Sequence, residues 1–147
     1  MLMFVSTFVR YMMWSIEFLL FPPICFATTA VVASLVTAIV KQKPFSDISI
    51  RKNTARIVVL QALIFVLTIS IAVVGYVDWI PPNYHGPNER ALHLETALAI
   101  ASVVLSIYWV IRMRGYRWYA TSLSLFQLLA LTGANFIAGM ALTGRWL

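Results

Sequence analysis

Four apolar runs, each long enough to cross a bilayer as a helix, leave this chain few other folds. A membrane helix needs about 20 mostly apolar residues to cover a hydrocarbon core of about 30 Å. The runs at about 14–40, 57–77, 91–111 and 118–142 meet that length, and the second holds no charged residue. None shows the strict alternation of a barrel strand. The expected fold is all-α and integral to a membrane. It is a single four-span domain over residues 1–147, packed as a left-handed, mostly antiparallel bundle.

Composition supports lipid as the main solvent. Of the 147 residues 61% are hydrophobic and 11% charged. A soluble domain carries about 25% charged residues and needs them to cover its surface. The net charge of +6 does not point to nucleic acid. The basic residues stand at the ends of apolar runs, where they meet lipid headgroups and set orientation. Membrane lipid is therefore an expected partner and nucleic acid is not. The single cysteine, Cys25, excludes an internal disulfide and a thiolate metal cage, and reads as a small apolar filler. No basic residue precedes Arg10 and no small-residue cleavage site follows the first apolar stretch. That run is expected to remain in the mature protein.

Pro22 and Pro23 fall inside the first run, which is longer than one span needs. Proline lacks a backbone donor and clashes with the preceding turn, so a kink or a short interfacial lead-in is expected there. Residues 1–13 are left open between an interfacial helix and part of a separate span over 1–21. The latter would bury Arg10 and Glu17 at a cost of several kcal/mol each.

Charge asymmetry between the connections predicts orientation. Residues 41–56 hold Lys41, Lys43, Arg51, Lys52 and Arg56 against Asp47, and residues 112–117 hold Arg112, Arg114 and Arg117 with no acid. The middle connection, 78–90, holds Arg90 against Asp78 and Glu89. Basic loops stay on the cytoplasmic side. Loops 41–56 and 112–117 are therefore expected in the cytoplasm, with both termini and the 78–90 loop outside. Trp14, Trp79 and Trp146 would form the outer aromatic belt, and Trp109, Tyr116, Trp118 and Tyr119 the inner one. Small residues let helices approach closely in lipid. Ala130, Ala134 and Ala138, with Gly133 and Gly139 nearby, form one such ridge; Ala27, Ala30, Ser34 and Ala38 form another. These two ridges are expected to meet, and Gln61, Gln127 and Asn135 to hydrogen-bond between helices.

The stretch GYVDWIPPNYHGPNERALHLE, residues 75–95, gathers both histidines and three of the five acids. Pro81 and Pro82 end the second helix, Gly86 and Pro87 make a turn, and Asn88 caps the third helix with Glu89 in its first turn. On that helix Glu89 and His93 share a face, whereas Glu95 points elsewhere. Glu17, Asp78 and Glu95 complete an outer-face polar cluster. Three site chemistries stay open beside a purely structural reading. His85, Glu89 and His93 could hold a divalent metal such as zinc or copper, although Gly86 and Pro87 break the helix between them. His93 could ligate haem, although one protomer lacks the facing histidine that a bis-histidine site requires. His93 could titrate at a proton or quinone site. No nucleotide-binding loop, HExxH or GxSxG is present.

The segments FPPICFATTAVVASLV, VVGYVDWIPP, ERALHLETALA and TGANFIAGMALTG resemble an uncharacterised bacterial family of four-span membrane proteins, a domain of unknown function. The resemblance implies a Gly-x-x-Asp-aromatic close to the second span and a histidine opening the third. Its matches here are Phe21, Pro22, Gly75, Asp78, Trp79, His93, Gly139 and Gly144. Members of that family often carry histidine beside proline ahead of the first span; this chain has Ile16, Glu17 and Phe21 there. The bacterial cytoplasmic membrane is the compartment the resemblance implies. The leading expectation is a non-catalytic membrane subunit or scaffold that associates with other membrane proteins or with itself. The alternatives are a redox or metal-binding protein using the outer-face cluster, and a small-solute transporter.

Overall fold

The computed structural model describes residues 2–77 and 89–143, which form five α-helices and no strand. They are α1 (Leu2–Glu17), α2 (Pro22–Gln42), α3 (Ile48–Val77), α4 (Glu89–Arg112) and α5 (Arg117–Thr143). The last four are each long and apolar enough to cross a membrane. The chain is thus an all-α, four-span bundle with a shorter helix in front of it.

The first run divides at its prolines. α1 ends at Glu17, a 3-10 turn covers Phe18–Leu20, and Phe21 is non-helical at φ −59° and ψ 130°. Proline disfavours the helical region for the residue before it. Pro22 itself begins α2, where its missing N–H costs nothing. Of the kink and the lead-in expected at the prolines, the structure has a separate leading helix rather than one kinked helix, and the prolines open the second helix. α1 packs on α5 and α3, with Tyr11 and Ser15 buried. Arg10 and Glu17 stay on its exposed side, and the Arg10 guanidinium lies 5.9 Å from the centre of the Trp14 ring.

α2 turns sharply into α3. Lys43 adopts the left-handed conformation, at φ 44° and ψ 52°, and its N–H donates to the Ile39 carbonyl at 3.0 Å. Pro44 then prevents the helix from continuing. Asp47 restarts it. Its Oδ1 accepts from the Ser49 amide at 2.8 Å and from the Ile50 amide at 3.4 Å. The Ser49 amide, and after it the Ser49 hydroxyl, hold this carboxyl below its usual range. Arg51, Lys52 and Arg56 belong to the opening turns of α3 rather than to a loop. The 43–47 and 113–116 connections lie at the same end of the bundle. The Lys41 ammonium sits 5.5 Å over the Trp118 ring, and the Gln42 Oε1 accepts the Tyr119 amide at 3.0 Å. This is the basic end.

α5 is the central helix and touches each of the other four. Two apolar cores lie along it. At the basic end Ala38, Ile57, Trp109, Met113, Tyr119 and Ala120 pack together. Trp109 and Tyr119 stand edge to face across α4 and α5, with ring centres 6.2 Å apart. Both rings are buried, so they serve the core rather than the inner aromatic belt expected of them. At the far end Tyr11 joins Ile69, Ala72 and Val73 of α3 and Leu131, Ala134, Ile137, Ala138 and Ala141 of α5. Trp14 packs on this core. Trp79 and Trp146 lie outside the described residues. The bundle's outer surface is apolar, as a lipid-facing surface must be; Phe26, Ile100 and Val104 are among its exposed side chains.

The two small-residue ridges meet only in part. Ser34 and Ser122 share a hydrogen bond at 2.8 Å, and Ala38 packs into the core at the basic end. Ala27 and Ala30, further along α2, are exposed. Ala134 and Ala138 lie in the far core with α1 and α3 instead.

Candidate functional site

Apart from Ser106, the buried polar side chains of α3 and α4 follow one repeat. On α3, Thr54, Gln61 and Thr68 stand seven residues apart; on α4, Glu95, Ser102 and Trp109 do the same. All six are buried. A seven-residue step returns to nearly the same side of a helix, so each set forms one stripe. One pair fixes how the stripes meet. Gln61 Nε2 donates to the Ser102 carbonyl at 3.2 Å and to the Ser106 hydroxyl at 3.0 Å, while the Ser102 hydroxyl donates to Gln61 Oε1 at 2.6 Å. The helices run antiparallel. Seven residues from Gln61 is Thr68, and seven in the matching direction from Ser102 is Glu95. Seven the other way are Thr54 and Trp109. The seam therefore consists of three layers, each about 10 Å from the next at 1.5 Å per residue.

The middle layer is hydrogen-bonded across the two helices, and among the described residues the outer two are not. The Trp109 indole N–H, in the layer nearest the basic end, is buried without a hydrogen-bond partner among the described residues. In the layer furthest from that end the Thr68 hydroxyl donates back to its own helix at Ile64, 3.0 Å away. Glu95 is only 8% exposed and makes no hydrogen bond or ion pair with a described residue. A buried polar group without a partner is costly, and such costs concentrate where a structure binds or switches. The same depth recurs on α5. Trp109 packs on Tyr119, and fourteen residues along each antiparallel helix from that pair stand Glu95 and Gly133. At Gly133 α1 approaches closely, with the Ser15 carbonyl oxygen 2.7 Å from the place a Cβ would occupy.

The other residues expected at a site are dispersed. Glu89 opens α4, and Glu89 and His93 lie exposed on one of its faces. Glu95 lies on the buried face, apart from them. Glu17 ends α1 on an exposed side. Among the described residues no three His, Cys, Asp or Glu side chains come together closely enough to hold a metal ion. His85 and Asp78 lie outside the described residues, and so do the turns expected at Pro81–Pro82 and Gly86–Pro87 and the Asn88 cap. Gln61 does bridge helices as expected. The side-chain carbonyls of Gln127 and Asn135 are buried without a partner. The seam as a unit was missed in the sequence, although its signal is present there as polar residues recurring every seven positions through two apolar runs.

Fold and interior define a four-span helical membrane protein with a polar seam between its second and third spanning helices. Comparison with protein-family models, with curated proteins and with solved structures finds no match to this chain.

Proposed function

We propose that this protein is a non-catalytic subunit of a larger membrane assembly, and that it associates with a second copy of itself through α2. The observation that carries this reading is the bareness of that helix. α2 is long enough to span, yet Ala38 is its only fully buried residue. Ala27, Ala30, Ala33 and Thr37 lie exposed along it. A lipid-facing helix has no need of small residues there, whereas a helix that meets another backbone does. Two copies of the same stripe can also face each other about a two-fold axis. The charge asymmetry supports cytoplasmic connections at the basic end, and the family resemblance supports the bacterial cytoplasmic membrane.

The test is disulfide trapping in native membranes. In a Cys25→Ser background, Ala30→Cys is expected to give a dimer on mild oxidation, and Val104→Cys, on exposed α4, is not. Ala27→Leu combined with Ala30→Cys should abolish the dimer. The purified protein should run above the monomer mass in a mild detergent. A strictly monomeric particle, with equal or no trapping at both positions, overturns the reading.

A further inference from the structure

A groove of about 470 Å³ runs between α3 and α4 on the lipid side of the bundle. Leu67, Ile71 and Val74 wall it on one side and Leu94 and Leu98 on the other. At one end stands Arg90, in the first turn of α4. From Arg90 to Leu98 the groove follows eight residues, about 12 Å of helix. That is less than half of a hydrocarbon core of about 30 Å. The groove therefore begins near a membrane surface, at the end of the bundle away from the basic connections, and extends part of the way to the midplane.

Arg90 forms no ion pair with a described residue. Glu89 precedes it on the helix and does not line the groove. Ser70 is the other polar side chain in the wall, and its hydroxyl is already donated to the Val66 carbonyl at 2.8 Å. A cation at the start of a helix adds to the positive end of the helix dipole, so both favour an anion here. The two halves of the site select different things. A small anion would satisfy Arg90 and leave the apolar walls unfilled. A neutral lipid would fill the walls and leave the guanidinium without a partner. An amphiphile with an anionic head satisfies both.

We infer that the α3–α4 groove is a binding site for an anionic phospholipid, with the headgroup phosphate on Arg90 and the upper part of one acyl chain between Leu94, Leu98 and α3. The site is independent of the seam and of any contact made by α2. Its occupant is recognised by a guanidinium–phosphate contact of the kind that gives arginine its preference for phosphates. The chain adds apolar contact without selecting among headgroups.

Native mass spectrometry of the full chain, released from a neutral detergent, tests this with two probes. Phosphatidylglycerol is expected to be retained at lower added concentration than phosphatidylcholine. Arg90→Gln should weaken phosphatidylglycerol retention roughly tenfold and leave phosphatidylcholine unchanged. Leu94→Trp, which fills the groove, should weaken both. Inorganic phosphate in excess should not displace the lipid. Far-ultraviolet circular dichroism keeps both variants interpretable, since each must retain the helical content of the parent. Equal retention of the two lipids by the parent overturns the site. So does an Arg90→Gln protein that holds phosphatidylglycerol as the parent does, a Leu94→Trp protein with undiminished retention, or displacement by phosphate.

Discussion

Gly133 is a glycine because a backbone occupies the place its side chain would take. A Cβ there would stand 2.7 Å from the Ser15 carbonyl oxygen and 3.2 Å from the Phe18 ring. The ring can turn aside, but the carbonyl belongs to the helix of α1 and cannot move alone. Gly133→Ala must therefore lift α1 off α5, which costs about 1–3 kcal/mol as other overpacked sites do. Gly139 supplies the control. It lies on the same helix and has nothing within 4 Å of its Cβ position. Gly139→Ala should leave stability unchanged or raise it by up to about 1 kcal/mol, the helix propensity gain. Reversible unfolding in mixed micelles measures both. Equal effects of the two substitutions would mean that α1 does not press on α5 at Ser15.

At the scale of elements, the α3–α4 pair is held in register by polar contacts rather than by shape alone. Apolar side chains gain little by leaving lipid, so one residue that bonds to two others across the interface has unusual weight. Gln61→Leu and Ser102→Ala should each destabilise the bundle. The double variant should cost less than the two together, because the second change removes a group that the first had already orphaned. The coupling expected is about 0.6 kcal/mol, with an upper bound near 1.7. Strict additivity in a double-mutant cycle would remove the Gln61–Ser102 contact from the account. This pair also shows what a sequence can disclose. A glutamine in an uncharged apolar run stands out, so its bridging role is readable. Its partners are serines, which are common in membrane helices, and only the register distinguishes Ser102 and Ser106 from Ser70 or Thr132. Glu95 shows the limit from the other side. Angular spacing correctly separates it from His93 on α4. Whether that second face meets water or the bundle depends on where α3 and α5 pack, and one helix's sequence does not contain that. The prolines were legible as a break, with a kink and a short lead-in both left open. Phe21 shows why the chain divides there: at ψ 130° this residue before a proline has left the helical region, and Pro22 is well suited to begin a new helix.

For the whole molecule, the distribution of charge and the contacts at the basic end make linked but separable claims. The Lys41–Trp118 and Gln42–Tyr119 contacts place the 43–47 and 113–116 connections together whichever way the protein faces the membrane. The cytoplasmic placement proposed for that end rests separately on its excess of lysine and arginine. Single cysteines in a Cys25→Ser background test the two separately. Gly115→Cys adds a side chain where nothing lies within 4 Å, and Ser46 is exposed. Both cysteines are expected to react with an impermeant maleimide only after the membrane is opened. Glu89→Cys, exposed at the start of α4, should react in intact cells. Labelling of Ser46→Cys and Gly115→Cys from outside, with Glu89→Cys protected, would reverse the orientation and leave the bundle standing. If Ser46→Cys and Gly115→Cys reported opposite sides, the packing itself would be wrong. α2 and α5 could not then share the hydrogen bonds that join them, and the number of crossings between those connections would no longer be even.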